Sequence, residues 1–518
     1  MVVKILMLLV FFAVMVGGGF YCHKHATDVD GFVLGGRSVG PWLSAFAYGT
    51  SYFSAVIFVG YAGQFGWKYG IASTWIGIGN ALLGSMLAWR VLGRRTRVMT
   101  QHLDSATMPE FFGKRFQSDG LKIAASVIVF IFMIPYTASL YNGLSRLFGM
   151  AFNIDYSICV IAMAILTGIY VVAGGYMATA INDFIQGIIM LFGISAVVIA
   201  VLASKGGLFE ALAGLAEISD AHAVTRLAKS PGIFASFMGP DPINLMFVVI
   251  LTSLGTWGLP QMVQKFYAIK NESDITKGTV ISTLFALVVA GGCYFLGGFG
   301  RLFSDQIDIK ANGFDSIIPT MLSGLSDGMI ALIVILVLSA SMSTLSSLVI
   351  ASSSTLTIDL IKDNIIKNMS ESKQVLFMRG LIVVFIAISA VLALIQYKSS
   401  VNFIAQLMGV SWGAMAGAFL APFMYSLYSK KVTTASCWAC FIFGSVLMTA
   451  NMLVRPMFPA IMQSPINSGA IAMLAGLVIV PIVSAITSKP DEKLVDNAFE
   501  CYEEKILVPL STSLNSEK

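Results

Sequence analysis

The chain has 518 residues, of which 57% are hydrophobic and only 11% are charged. An ordinary soluble domain carries roughly a quarter charged residues, so these proportions exclude a surface that faces only water and indicate lipid instead. The net charge of +5 is modest, and no run of Lys and Arg is long enough to indicate nucleic-acid binding.

Apolar stretches recur along the whole chain, most of them long enough for the roughly 20 residues that cross a bilayer. They predict an all-α polytopic membrane protein with about thirteen transmembrane helices. The stretch at 316–359 is too long for one crossing, so an outer segment is expected before a membrane helix at 329–359. The predicted spans are 4–20, 41–66, 70–93, 121–148, 153–175, 180–203, 240–263, 277–300, 316–359, 375–396, 400–427, 432–454 and 466–487.

Three parts are predicted: a first helix with its link (1–30), a core with flanking helices (31–487), and a polar tail (488–518). The first apolar run resembles a signal peptide, but no clear cleavage site follows it, so a retained helix is favoured. Positively charged loops remain cytoplasmic. Their distribution, which includes Lys265 and Lys270, places the N-terminus outside and the C-terminus in the cytoplasm. A cell membrane is predicted, with a bacterial inner membrane favoured.

Hydroxyl side chains are concentrated between Ser339 and Ser354. In a helix Ser343, Ser346 and Ser347 lie three and four residues apart, so their hydroxyls share one face. Hydroxyl oxygens at membrane depth suit a hard cation such as sodium. The alternative is that they bond back to the carbonyl four residues earlier or bridge neighbouring helices.

Asp183 stands at the start of an apolar run, after the pair Gly174 and Gly175. An ionisable side chain in a membrane helix is energetically expensive and indicates a functional site. No Lys or Arg occurs within the nearby helical turns, so a cation is the expected partner of this carboxylate. Two alternatives remain: Asp183 caps its helix, or it is protonated and binds no sodium.

The stretch from Tyr48 to Trp67 is apolar but interrupted by small and polar residues, among them Gly49, Gly60 and Gly66. Interrupted membrane helices free backbone carbonyls at the depth where transporters bind ions and solutes. Glycines can equally mark close helix packing.

Five motifs occur in one order along the chain: GGRSVGPW at 35–42, PEFFGKRF at 109–116, GGYMATAINDFIQG at 174–187, LPQMVQKFYAIK at 259–270 and MSTLSSLVIASSSTLTIDL at 342–360. Together they resemble the sodium/solute symporter family, which includes carriers for proline, glucose, sialic acid and pantothenate. The resemblance implies a leucine-transporter-type core of two five-helix inverted repeats, near 41–203 and 240–427. It also implies a transporter, not an enzyme, with sodium as coupling ion, a small organic solute, a lipid bilayer around it, and no cofactor.

The same resemblance assigns ligands. The family's main sodium site carries over to the carbonyls of Thr50, Phe53 and Ala340 and the hydroxyls of Ser343 and Thr344. A second sodium site, which some members have, carries over to Asp183, Ser346 and Ser347. No other metal is expected.

A solute pathway is expected between the two repeats. Pro260 cannot donate a backbone hydrogen bond and would loosen its helix. Tyr52 and Val56 replace an acidic and an aromatic residue of the proline carriers, and Tyr136 matches an aromatic of their pocket. The solute class therefore stays open between an amino acid, a carboxylate and a sugar-like molecule. The predicted pathway residues are Tyr52, Val56, Tyr136, Thr256, Trp257 and Pro260.

Three other classes of function are open to a chain of this composition: a channel or sodium-independent facilitator, a membrane-embedded enzyme, and a nutrient sensor. A channel would show repeated pore loops or charged rings, and neither is found in the sequence. A membrane-embedded enzyme would need His, Cys or paired carboxylates inside the spans. A nutrient sensor without transport remains an alternative, as does a sodium-independent facilitator.

Overall fold

Long apolar runs, ended by glycine, proline or a polar cap, determine the architecture. The computed structural model describes residues 2–22, 28–219, 229–362, 365–366, 369–398 and 404–503. Within these ranges the regular structure is helical, and one isolated β-bridge joins Val39 to Ile269. The end of the tail, 504–518, lies outside the described residues, as do the loop positions 23–27 and 220–228.

The helices are numbered here in chain order, with short 3₁₀ turns omitted. They are α1 (Val2–Cys22), α2 (Val29–Leu34), α3 (Pro41–Tyr52), α4 (56–69), α5 (74–102), α6 (Met108–Phe116), α7 (Asp119–Phe152), α8 (Tyr156–Ala203), α9 (Leu208–Glu217), α10 (Pro242–Gly258), α11 (Pro260–Tyr267), α12 (Ser273–Gly297), α13 (Ile309–Asn312), α14 (Ile317–Ser323), α15 (Asp327–Ile361), α16 (Glu371–Lys398), α17 (Ile404–Tyr428), α18 (Thr434–Val454), α19 (Pro465–Ile486) and α20 (Glu492–Glu500).

Nine helical stretches in the described residues are long and apolar enough to cross a membrane, or ten when the bent pair α10–α11 counts as one span. The stretch Val56–His102 counts once, although Gly70 (φ 62°, ψ −143°) breaks it into α4 and α5. The ten spans become thirteen only when α4 and α5 are counted separately and when α1 and the first half of α8, which are shorter apolar helices, are added. The all-helical fold is confirmed, and the number thirteen stays a prediction.

Three breaks position the site. Between α3 and α4 the backbone of Phe53 is extended (φ −83°, ψ 127°), so the helix stops at Tyr52. Between α10 and α11 Leu259 is extended and the axis bends by 47° before Pro260. In α8 Gly175 has φ 58°, a left-handed conformation that glycine adopts without strain. The interruption in the first core helix and the loosening at Pro260 are thus present in the structure.

Helix α15 lies in the interior, packed by α3, α7, α8 and α16. Its residues from Val334 to Ser354 contain the hydroxyl cluster, and all of them are buried. A separate short helix, α14, precedes it within the long stretch at 316–359; its position outside the membrane stays a prediction. α1 packs on α8 and α15; its retention in the mature protein stays a prediction.

Glycines allow two helix backbones to touch. A Cβ on Gly66 of α4 would lie 1.9 Å from the carbonyl oxygen of Gly297 in α12, and a Cβ on Gly297 would lie 2.1 Å from that of Ala62. This is close packing of small residues. Gly66 therefore marks close helix packing, the alternative explanation of these glycines. The helix break itself falls at Phe53 and Ser54.

Candidate functional site

The first cluster of oxygen atoms lies where α3 stops beside α15. The Thr344 hydroxyl oxygen is 3.3 Å from the Thr50 carbonyl oxygen, 3.2 Å from that of Phe53 and 3.1 Å from that of Ala340. Ser343 donates a hydrogen bond of 2.7 Å to the Thr50 hydroxyl. All five residues of the expected main sodium site are therefore brought together, and all five are buried.

Local structure explains why these oxygens can bind a cation. Because α3 ends at Tyr52, the carbonyls near its end lack the amide partners that a continuing helix supplies. Thr344 has one hydroxyl proton and three carbonyl oxygens around it, so it satisfies at most one of them well. The negative end of the α3 dipole also points here. The arrangement suits a small cation that accepts several oxygens at once.

Asp183 does not cap a helix. It lies about two turns after Gly175, inside the continuous helical segment Gly175–Ala203. Its side chain is only 1% exposed, and neither carboxylate oxygen accepts a hydrogen bond of normal geometry. The capping alternative is wrong because the helix starts well before this residue.

The carboxylate of Asp183 has a cationic partner that the sequence analysis did not anticipate. Lys265 of α11 places its Nζ 3.7 Å from Asp183 Oδ2, and its side chain is 2% exposed. The expectation that Asp183 is a lone carboxylate is wrong, because Lys265 is remote from the neighbouring helical turns in sequence but lies beside Asp183 in the fold. Lys265 is also not a loop charge, so it does not belong in the orientation count.

The hydroxyls predicted beside Asp183 divide between two roles. Ser347 accepts a hydrogen bond of 3.0 Å from Lys265 Nζ and lies 2.8 Å from the hydroxyl of Ser51. Ser346 donates to the carbonyl of Ser343, 2.8 Å away. Ser347 therefore belongs to the Asp183 cluster, whereas Ser346 bonds within its own helix, as the alternative interpretation of the hydroxyl cluster allowed.

Aromatic rings connect the expected solute pathway to a residue not foreseen from the sequence. Trp412 of α17 is fully buried, with its ring centre 5.7 Å from that of Tyr52 and 5.9 Å from that of Tyr136. Its ring thus contacts two of the predicted pathway residues at once. A single Trp within a long apolar run is what helix packing alone would also give, so the sequence did not mark Trp412 as a pathway residue.

A small buried cavity of about 10 Å³ lies next to these rings, and its wall includes both Tyr52 and Thr256. Asn80 donates to the hydroxyl of Tyr52 and accepts from Ser253, which adds polar groups to its wall. The cavity lining consists of Tyr48, Gly49, Tyr52, Asn80, Gly84, Ser85, Thr256, Ser282 and Ala286.

The other predicted pathway residues lie outside this cavity. The Trp257 indole nitrogen donates to the carbonyl of Leu83, 3.0 Å away. Val56 is buried at the start of α4, and Pro260 is the first residue of α11, at the 47° bend.

Comparison with known proteins gives a consistent family. The sequence model described as the Sodium:solute symporter family matches residues 32–444. The chain is 27% identical over 485 residues to the osmoregulated proline transporter OpuE of Bacillus subtilis, covering 93% of this chain and 94% of that one. It is 28% identical over 500 residues to the sodium/proline symporter of Staphylococcus aureus, covering 94% and 93%.

Solved structures agree on the fold. A Na⁺-coupled sialic acid symporter, in a substrate-bound outward-open state, matches with a TM-score of 0.74 at 17% identity, covering 95% of this chain and 99% of that one. A manganese transporter of Eremococcus coleocola matches with a TM-score of 0.50 at 12% identity, covering 86% and 94%. At these identities the likeness concerns the arrangement of helices.

Proposed function

The chain belongs to the sodium:solute symporter family, and on that basis we propose that it imports a small organic solute by sodium-coupled alternating access. The family and the relatives are transporters, not enzymes. The observation that carries the proposal is the convergence of the Thr50, Phe53 and Ala340 carbonyls on the Thr344 hydroxyl at a helix break.

Sodium binding at this place would couple two structural units. Thr50 and Phe53 belong to the interrupted first core helix, whereas Ala340, Ser343 and Thr344 belong to α15. A cation that takes ligands from both holds them together, and its departure releases them. Such a two-state contact is what alternating access requires, because a ligand shifts the equilibrium only by binding one state better.

The solute pathway is proposed around the aromatic and polar groups described above. Tyr52, Tyr136 and Thr256 supply hydroxyls, Val56 and Trp257 supply apolar surface, and the bend before Pro260 closely follows Thr256 and Trp257 in sequence. Relatives named as proline transporters make an amino acid the first solute to test. Tyr52 and Val56, which differ from the proline-carrier pattern, favour testing carboxylates and sugar-like solutes beside it.

Uptake into proteoliposomes tests the proposed function. Purified protein is reconstituted and offered labelled proline, pantothenate, glucose and sialic acid, with an inward sodium gradient or with potassium replacing sodium. We expect one solute to accumulate above its outside concentration only with the sodium gradient, and an ionophore that collapses the gradient to abolish the accumulation.

The two alternatives give different results in the same assay. A facilitator or channel equilibrates the solute without a sodium gradient and never accumulates it. A sensor binds the solute, detectable as a shift in thermal unfolding, but does not move it. Either result contradicts sodium-coupled symport.

A further inference from the structure

A buried ion pair joins α8 and α11. Asp183 and Lys265 have side chains that are 1% and 2% exposed, and each is the other's ion-pair partner within the described part of the chain. Burying two charges requires close pairing, because an uncompensated charge in a low-dielectric interior is strongly destabilising. The pair has no net charge, so the carboxylate of Asp183 does not need an additional cation.

Hydrogen bonds fix the ammonium in this position. Lys265 donates to Ser347 at 3.0 Å, and Ser51 uses its own proton on the carbonyl of Ala47 at 2.6 Å. The remaining contact, 2.8 Å between Ser347 and Ser51, is therefore donated by Ser347. The three hydrogen bonds therefore run in one direction: Lys265 of α11 donates to Ser347 of α15, and Ser347 donates to Ser51 of α3.

The ammonium has a third contact, with an aromatic ring. Lys265 Nζ lies 4.9 Å from the centre of the Tyr176 ring, a distance at which a cation is attracted to the ring face. Carboxylate, hydroxyl and ring thus surround one positive charge. These are groups that stabilise a monovalent cation, whether it is a free ion or a side-chain ammonium.

We propose that the Lys265 ammonium serves as a built-in cation at the position where a second sodium ion would bind, so that the carrier couples one sodium ion per solute. The proposal rests on the proposed function and concerns its stoichiometry. A sodium ion and the ammonium carry the same charge and compete for Asp183 and Ser347. Two cations on one buried carboxylate would repel each other strongly. Lys265 is therefore a positioning residue that excludes the second ion.

Sodium counting on the purified protein tests this directly. Equilibrium binding of radioactive sodium is measured on the wild type, on Lys265→Met and on the charge-neutral double variant Asp183→Asn/Lys265→Met. We expect one ion per chain in the wild type. We expect two ions in Lys265→Met, because the Asp183 carboxylate is then unpaired and, with the Ser347 hydroxyl, can bind sodium. We expect one ion in the double variant, because Asp183→Asn removes that carboxylate.

Transport gives a second readout from the same proteins. The sodium dependence of uptake should have a Hill coefficient of about one in the wild type and clearly above one in Lys265→Met. The matched control is Lys270→Met, because Lys270 lies at the end of the same segment with an exposed side chain. It should leave both the ion count and the Hill coefficient unchanged.

The outcomes separate the two proposals. Two sodium ions per wild-type chain overturn the inference about Lys265 while leaving sodium coupling intact, and this holds whether or not the variants fold. One ion in a folded Lys265→Met protein also overturns it. No sodium binding by the wild type, together with no sodium-driven uptake, contradicts the proposed function itself.

Discussion

One hydroxyl group, that of Thr344, lies within 3.3 Å of three carbonyl oxygens although it has only one proton to donate. Such an excess of acceptors is unfavourable for a protein that only needs to pack two helices. It is favourable for one that must bind a cation and release it again, because the oxygens are already in place when the ion arrives. Preorganisation of this kind lowers the entropy lost on binding.

Replacing both hydroxyl ligands should weaken sodium binding. Ser343→Ala with Thr344→Ala removes two side-chain oxygens and leaves the backbone carbonyls, so the sodium concentration for half-maximal uptake should rise at least about tenfold, or about 1.4 kcal/mol. Ser353→Ala is the matched control, since Ser353 is buried in the same helix and bonds back to Ile350. Unaltered sodium dependence in the double variant would rule out this site.

Access to the proposed solute pocket is measurable at Thr256, which lines the same small cavity as Tyr52. A Thr256→Cys side chain should react with a small thiol reagent, and saturating solute should slow that reaction because both compete for the same space. Ser488→Cys, at an exposed position after α19, should react equally with and without solute. If solute gives no protection at position 256, the pocket lies elsewhere.

The main sodium site could be assigned only through the family resemblance, because its carbonyls near Thr50 and its hydroxyls in α15 are 294 residues apart in sequence; the residue pattern alone showed the hydroxyl cluster. The resemblance gave no role to Lys265, so the Asp183–Lys265 pair was not predicted. A lysine followed by Phe and Tyr near a run of polar residues has the pattern of a loop. Only the bend before Pro260 turns α11 so that Lys265 faces inward.

At the scale of helices, the two interrupted elements α3–α4 and α10–α11 adjoin the site from different parts of the chain. Proline predicted the second break, because it restricts the preceding residue to extended backbone and removes an amide donor. The first break has no proline, and its location at Phe53 was not evident from the glycines nearby. Those glycines serve helix contact instead.

Straightening the second break should slow transport without altering the main sodium site. Pro260→Ala restores an amide donor and frees Leu259, so α10 and α11 can approach one continuous helix. We expect the maximal rate of uptake to fall roughly tenfold, about 1.4 kcal/mol in the barrier, with little change in the sodium concentration for half-maximal uptake. Pro481→Ala, inside α19, is the control. Equal rates in both variants would show that the bend is not needed for the cycle.

The contact between α4 and α12 should be intolerant of any side chain. A Cβ at Gly66 would lie 1.9 Å from the backbone of Gly297, so the two helices must separate. Gly66→Ala should destabilise the protein by about 1–3 kcal/mol, measured as a fall in the thermal unfolding midpoint in detergent. Gly380→Ala should not, since a Cβ there meets no atom within 4 Å. Equal midpoints would show that the helices adapt.

At the scale of the whole molecule, the helical fold followed from composition, because lipid leaves few ways to satisfy the backbone. Composition did not predict which helices pack against each other. The repeats at 41–203 and 240–427 came from the family resemblance, and their inverted symmetry stays a prediction, as does the orientation in the membrane. The break at Gly70 agrees with the predicted boundary between 41–66 and 70–93, whereas the location of the break at Phe53, inside 41–66, was not predicted.

The buried ammonium of Lys265 has an energetic consequence for the cell. A carrier that moves one positive charge with each neutral solute gains about 2.3 kcal/mol from a potential of 100 mV, enough for roughly fifty-fold accumulation from the potential alone. Two charges would raise that limit to roughly two-thousand-fold at twice the expenditure of ions. Lys265 thus favours economical uptake of a solute that is already plentiful outside over scavenging of a scarce one.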